Sequence, residues 1–136
     1  GLVALKEKAG PVAERLRATG CRIIMPWGAP IGSGQGLQHI EALKTMRKRL
    51  PELTLIVEAG IGAPSHAAHA LEMGYDAVLL NTAVALAQNP VTMAQAFRDA
   101  VRAGRLGYEA GLMAASSRAQ ASSPTVGLPF WHGEPI

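Results

Sequence analysis

Cysteine is almost missing from this chain: Cys21 is the only one in 136 residues. A single thiol closes no internal disulfide and assembles no cysteine metal cluster, and beside a strand it reads as a small buried group. Aromatics are scarce too, with two each of Phe, Tyr and Trp. The basic residues are scattered apart from Arg47-Lys48-Arg49, so a net charge of +3 does not make the basic, aromatic-interleaved groove of a nucleic-acid binder. Long apolar runs are lacking: the chain is 49% hydrophobic, yet nothing approaches the stretch of about 18 residues that spans a membrane. With no charged-then-apolar leader, the expectation is a soluble, cytoplasmic protein without a membrane partner. The four histidines form no ligand set. His66 and His69, three apart on a small-residue stretch, read as a solvated helix face, and no metal is expected.

What is there begins with Leu53 to Thr82, LTLIVEAGIGAPSHAAHALEMGYDAVLLNT. Leu53 to Val57 and Asp76 to Leu80 are near-continuous apolar runs, as in parallel strands covered on both faces. One helix fits between them. Pro64 suits its first position, Ala67, Ala70 and Leu71 make its apolar stripe, and Gly74 suits a left-handed stop. Both strands end in small or polar residues, Glu58-Ala59-Gly60 and Asn81-Thr82, which fall side by side at the carboxyl edge of one sheet, where such folds bind ligands.

Around this βαβ unit the spacing predicts a helix over Pro11 to Thr19, a short strand from Arg22 to Met25, a helix from Gln38 to Leu50, and a long helix opened by Asn89-Pro90 and running through about Ala103. Gly104 and Gly111 are expected to punctuate the last of these, and Gly1 to Gly10 stay unassigned. The reading is an α/β portion of a barrel over residues 1–111, followed by a Ser/Pro-rich tail over 112–136 that Phe130-Trp131 would anchor. An eight-stranded (βα) barrel needs about 200 residues or more, so 136 residues supply only part of one.

Three stretches carry chemistry. In PWGAPIGSGQG, Gly32, Gly34 and Gly36 at alternate positions can turn backbone N–H groups into a concavity for phosphate oxygens, the plainer alternative being a mobile glycine loop. Glu58 interrupts an apolar element at its end, as a general acid or base would, or else as a scaffold carboxylate. Asn81 and Thr82, with Ala59-Gly60, can add phosphate donors, and Thr82 alone can cap a following helix.

Taken together, MPWGAPIGSGQGL, VEAGIGAPSHAAHALEMGYDAVLLNTAVA and ASSPTVG resemble bacterial thiazole synthase, in the right order and spacing from about Pro11 to the end. The resemblance implies a (βα)8 TIM-barrel type fold of which this is the C-terminal half. It implies formation of the thiazole phosphate of thiamine from 1-deoxy-D-xylulose 5-phosphate, a glycine imine and the thiocarboxylate of a ubiquitin-like sulfur carrier, without metal or organic cofactor. By that resemblance Gly32, Ala59, Gly60, Asn81 and Thr82 contact the sugar phosphate. Glu58 is the catalytic carboxylate, standing where the family usually has Asp. The family's Schiff-base lysine lies in an earlier Lys-x-Glu motif that Lys6-Glu7-Lys8 does not match, so the chain alone is expected to be inactive. Exposed barrel edges predict a homo-oligomer. Two alternatives stand beside this reading: a sugar-phosphate-binding module without catalysis, and another phosphate-binding barrel enzyme.

Overall fold

The computed structural model describes residues 2–3 and 9–119. Its elements run β1 (Leu2–Val3), α1 (Ala9–Ala18), β2 (Ile23–Pro26), α2 (Ile40–Arg49), β3 (Thr54–Glu58), α3 (Pro64–Glu72), β4 (Ala77–Leu79), α4 (Thr82–Ala85) and α5 (Pro90–Ala110). The strands form one parallel sheet in the order β1-β2-β3-β4. Each strand follows the last through a helix, as parallel pairing demands. Lys6 and Lys8 lie outside the described residues, as do Phe130 and Trp131.

Period-two burial decides which way each strand residue faces. Ile24 and Pro26 of β2 and Leu55 and Val57 of β3 are buried under the helices. Their neighbours Ile23, Met25, Thr54, Ile56 and Glu58 take the other face, where Ile23 is 52% exposed and Leu79 of β4 49%. The apolar runs predicted strands covered on both faces; among the described residues helices cover one face only. The core accordingly lies between sheet and helices, with Leu43, Met46, Leu50, Leu71, Tyr75 and Phe97 packed on Ile24, Leu55 and Val57.

Polar groups lock this layer. Asp76 Oδ2 accepts from the Leu55 amide at 2.8 Å and from Arg47 Nη1 at 3.0 Å, tying the start of β4 to β3 and α2. Arg47 Nη2 also donates to the carbonyls of Leu50 and Leu53. The basic trio thus serves the end of α2 partly through direct bonds and not the dipole alone. Buried Tyr75 donates to the Leu43 carbonyl at 3.0 Å, and burial pushes its phenol well above the ordinary range.

Two punctuation marks are corrected. α5 runs straight through Gly104 and ends at Gly111, whose φ of 84° is left-handed. Gly104 is where α5 crosses α3: a Cβ there would overlap the Ala68 carbonyl and lie 2.9 Å from both Ala68 Cα and Leu71 Cβ. Close approach, and not termination, explains it. α2 starts two residues later than its pattern suggests, because His39 is left-handed at φ 56°. Gly74, at φ 89°, does end α3 as its position predicts. Beyond Gly111, residues 112–119 are exposed and belong to no helix or strand.

Candidate functional site

The carboxyl ends of β3 and β4 and the glycine loop between β2 and α2 enclose a cavity of about 660 Å³. Its wall includes Gly32, Gly34, Glu58, Ala59, Gly60, Asn81 and Thr82, so every residue singled out at the strand tips, and Gly32 from the separate loop, reaches one place. Ile31, Leu79, Leu86 and Met93 supply an apolar side that the sequence reading missed. Only their positions in the fold mark them, because their residue types are those of ordinary core.

Backbone contacts zip the glycine loop to the turn after β3. The Gly28 amide donates to the carbonyls of Glu58 and Ala59 at 2.9 and 3.2 Å, and the Gly36 amide to the Gly60 carbonyl at 2.8 Å. Gly62 lies against Gly34 so closely that a Cβ would meet its carbonyl oxygen at 2.5 Å. Gly60, at φ 79°, lies as close to the Ala29 backbone. Only glycine satisfies both the dihedral and the contact there.

Gly32, Gly34 and Gly36 are all left-handed, at φ 71°, 61° and 81°. Their roles differ, however. The amides of Gly32, Gly34, Gly60 and Ile61 donate to nothing among the described residues, whereas Gly36 spends its amide on the zipper. The predicted trio of donors is therefore a pair in this loop, matched by a second pair across the seam. Unpaired N–H groups on residues lining one cavity are what an anion site requires. Ala59 adds a non-glycine left-handed residue at φ 62°, local strain of the kind that gathers at ligand sites.

Glu58 ends β3 on the open face. Its Oε2 is buried with no hydrogen-bond partner among the described residues, which disfavours a scaffold role for that oxygen. Trp27, paired with Glu58 across the strands, has a buried indole Nε1 in the same condition. Leaving such a group unpaired costs about 1–3 kcal/mol. The sequence reading missed this indole; continuing the alternation of Ile23 and Met25 by one more step is the signal that could have placed it on the open face, beside Glu58.

Two other expectations change. Thr82 is the first residue of α4 and not its cap; Asn81 precedes it and makes no side-chain capping bond. His66 and His69 are not a matched pair on a solvated face: His69 is exposed, while His66 Nδ1 accepts from the amides of Gly62 and Ala63 at 3.1 and 3.2 Å. Among the described residues no group of three His, Cys, Asp or Glu is placed to hold a metal. No described helix is long and apolar enough to cross a membrane. Cys21, half-buried, donates its thiol to the Ile23 carbonyl at 3.0 Å.

Known proteins are similar to this chain in sequence and in fold. A thiazole synthase of Rhodopseudomonas palustris (strain BisB5) is 64% identical over 121 residues, which are 89% of this chain and 46% of the relative. One from Bradyrhizobium sp. (strain ORS 278) is 64% identical over the same length and shares. The chain thus spans about half the length of the curated relatives it matches. Among solved structures, BexX of Amycolatopsis orientalis, crystallised in a complex with CysO, superposes with a TM-score of 0.76 at 35% identity, over 79% of this chain and 44% of that one. Residues 5–124 match the family described as thiazole biosynthesis protein ThiG. With the family match running from the first helix past the last and relatives this similar, the chain belongs to the ThiG family of thiazole biosynthesis proteins.

Proposed function

We propose that this chain carries the sugar-phosphate-binding and proton-transferring side of a thiazole synthase. It would act within a (βα)8 barrel whose remaining strands correspond to the part of the relatives that it does not span. One observation carries this reading: a carboxylate with an unpartnered buried oxygen shares a cavity with unpaired amides from two zipped loops. The amides of Gly32, Gly34, Gly60 and Ile61 take the phosphate oxygens of 1-deoxy-D-xylulose 5-phosphate without a side-chain cation. Asn81 and Thr82, with the backbone at Ala59, close on the same group from the β4 side.

Glu58 then faces the reacting carbons and moves protons as general acid and base while the glycine imine and sulfur are incorporated. It reaches one methylene farther than the family's usual Asp. Covalent activation of the sugar ketone needs a lysine, which the family's earlier Lys-x-Glu motif supplies. Sulfur arrives on a ubiquitin-like carrier; the relation of this fold to BexX, solved with a second protein bound, supports a protein partner. The open face with Ile23 and Leu79 half exposed, and the edges of β1 and β4, support assembly with the missing strands or with another copy.

Calorimetric titration with the sugar phosphate tests the binding step. Binding that Gly32→Val abolishes without unfolding the chain is expected, and equal affinity in both proteins removes Gly32 from the site. A non-catalytic binding module is the second reading, favoured because no lysine is among the described residues lining the cavity. Borohydride treatment with substrate, read by intact mass, separates the two. No adduct is expected from this chain alone, and an adduct mapped to Lys6, Lys8, Lys44 or Lys48 would place the imine here.

A further inference from the structure

His66 stands at the seam between the two loops that supply the unpaired amides. It is the third residue of α3, and Ala63, at the N-cap position, has no side-chain oxygen to cap the helix. The imidazole does part of that work from the other side: its Nδ1 accepts from Gly62 N at 3.1 Å and Ala63 N at 3.2 Å. An amide can only donate, so Nδ1 presents a lone pair and the ring carries its proton on Nε2. The far edge of the ring meets the glycine loop. A Cβ at Gly36 would lie 2.9 Å from Nε2 and 3.1 Å from Cδ2 and Cε1, and Gly36 itself donates to the Gly60 carbonyl at 2.8 Å. One neutral side chain therefore touches both loops, holding two amides of one and bracing the backbone of the other.

We propose that His66 is the positioning residue of the phosphate cradle. With its proton on Nε2, it ties back the Gly62 and Ala63 amides and props Gly36, so that the amides of Gly32 and Gly34 converge with those of Gly60 and Ile61 on one phosphate monoester. This rests on the reading that the cavity binds a sugar phosphate. His66 does not touch the ligand itself. Gly62 lies on Gly34 with no room for a Cβ, so releasing the Gly62 amide shifts the surface on which Gly34 rests. A simple helix cap would act on α3 alone; a strut acts on both loops.

Three variants of the full chain separate these roles. His66→Asn places an amide oxygen near the position of Nδ1, His66→Phe keeps a ring against Gly36 without an acceptor, and His69→Asn is a control on the same helix at an exposed position. Each His66 variant keeps one of the two contacts, so with inorganic phosphate and with 1-deoxy-D-xylulose 5-phosphate His66→Asn and His66→Phe are each expected to bind about threefold or more weaker than the unaltered chain, and His69→Asn as tightly as it. Circular dichroism should show unchanged helix content in both His66 variants. Full affinity in either His66 variant, or the same loss in His69→Asn, overturns the proposal. Amide hydrogen exchange gives a readout that needs no ligand. In His66→Phe, which keeps the ring and loses the acceptor, Gly62 and Ala63 should exchange faster with Gly36 still protected; in His66→Asn, which keeps the acceptor and loses the ring, Gly36 should exchange faster with Gly62 and Ala63 still protected. Gly36 unchanged in His66→Asn reduces His66 to a cap and overturns the strut, as does no change at all in either variant. If the unaltered chain binds neither phosphate probe while the exchange pattern holds, the sugar-phosphate reading fails and the strut stands as the link between loops.

Discussion

Gly60→Ala tests whether the two loops are held by glycine contacts, because the cost has two separable parts. The first is conformational. Gly60 has φ 79°, and an L-residue in the left-handed region costs about 1–2 kcal/mol. The second is steric. The new Cβ would lie 2.5 Å from the Ala29 amide nitrogen and 2.8 Å from Ala29 Cα, next to Gly28, whose amide and carbonyl are both hydrogen-bonded, and overpacking of this kind costs about 1–3 kcal/mol. Against these, alanine restricts the unfolded chain and returns about 0.4–1 kcal/mol. The sum is a loss of about 3 kcal/mol. Gly32→Ala isolates the first part, since Gly32 has φ 71° and nothing within 4 Å of its would-be Cβ. It should lose about 1 kcal/mol. Urea unfolding followed by circular dichroism measures both, provided the m-values match. Equal midpoints for the two variants, or a Gly60→Ala chain as stable as its parent, would refute the claim that Ala29 leaves no room at Gly60.

Gly104→Ala sets helix propensity, a gain of about 1 kcal/mol, against overlap with the Ala68 carbonyl and Leu71, a loss of about 1–3 kcal/mol. A lowered melting temperature is expected, and a raised one would mean that α3 and α5 can part at little cost. Tyr75→Phe removes a donor to the Leu43 carbonyl and should destabilise by about 1–3 kcal/mol. Because burial raises the Tyr75 phenol, its stabilising effect is complete below the unfolded value of about 10 and declines as pH climbs above it. The difference in stability between parent and variant should therefore shrink in alkali, and a constant difference to the alkaline limit contradicts the buried, neutral phenol. Glu58→Gln removes no hydrogen bond of the unpartnered Oε2, so unfolding should move by less than about 1 kcal/mol while thiazole formation by the assembled enzyme is lost. Retained turnover would take the proton-transfer role away from Glu58.

From α1 to α5 the order of strands and helices was legible in the sequence because each of these elements carries its own local signal, whereas β1 lies in the stretch left unassigned. Apolar runs mark β3 and β4, Pro64 and Asn89-Pro90 open their helices, and Gly74 closes α3. The strand-tip residues were legible for the same reason: in a parallel βαβ unit, Glu58-Ala59-Gly60 and Asn81-Thr82 must end at one edge. Local signals do not record what a residue meets across the fold. Gly104 and Gly111 look alike as helix punctuation, yet one is a crossing with Ala68 and the other a left-handed end. Gly32, Gly34 and Gly36 look alike as phosphate donors, but the Gly60 carbonyl claims the third. His66 and His69 look alike as surface imidazoles until the turn after β3 folds back and presents two amides to the first. Tertiary structure decided these cases because a hydrogen bond or a missing Cβ has meaning only against its partner, and here each partner lies on another loop or helix, or in a turn whose path its own residues do not specify.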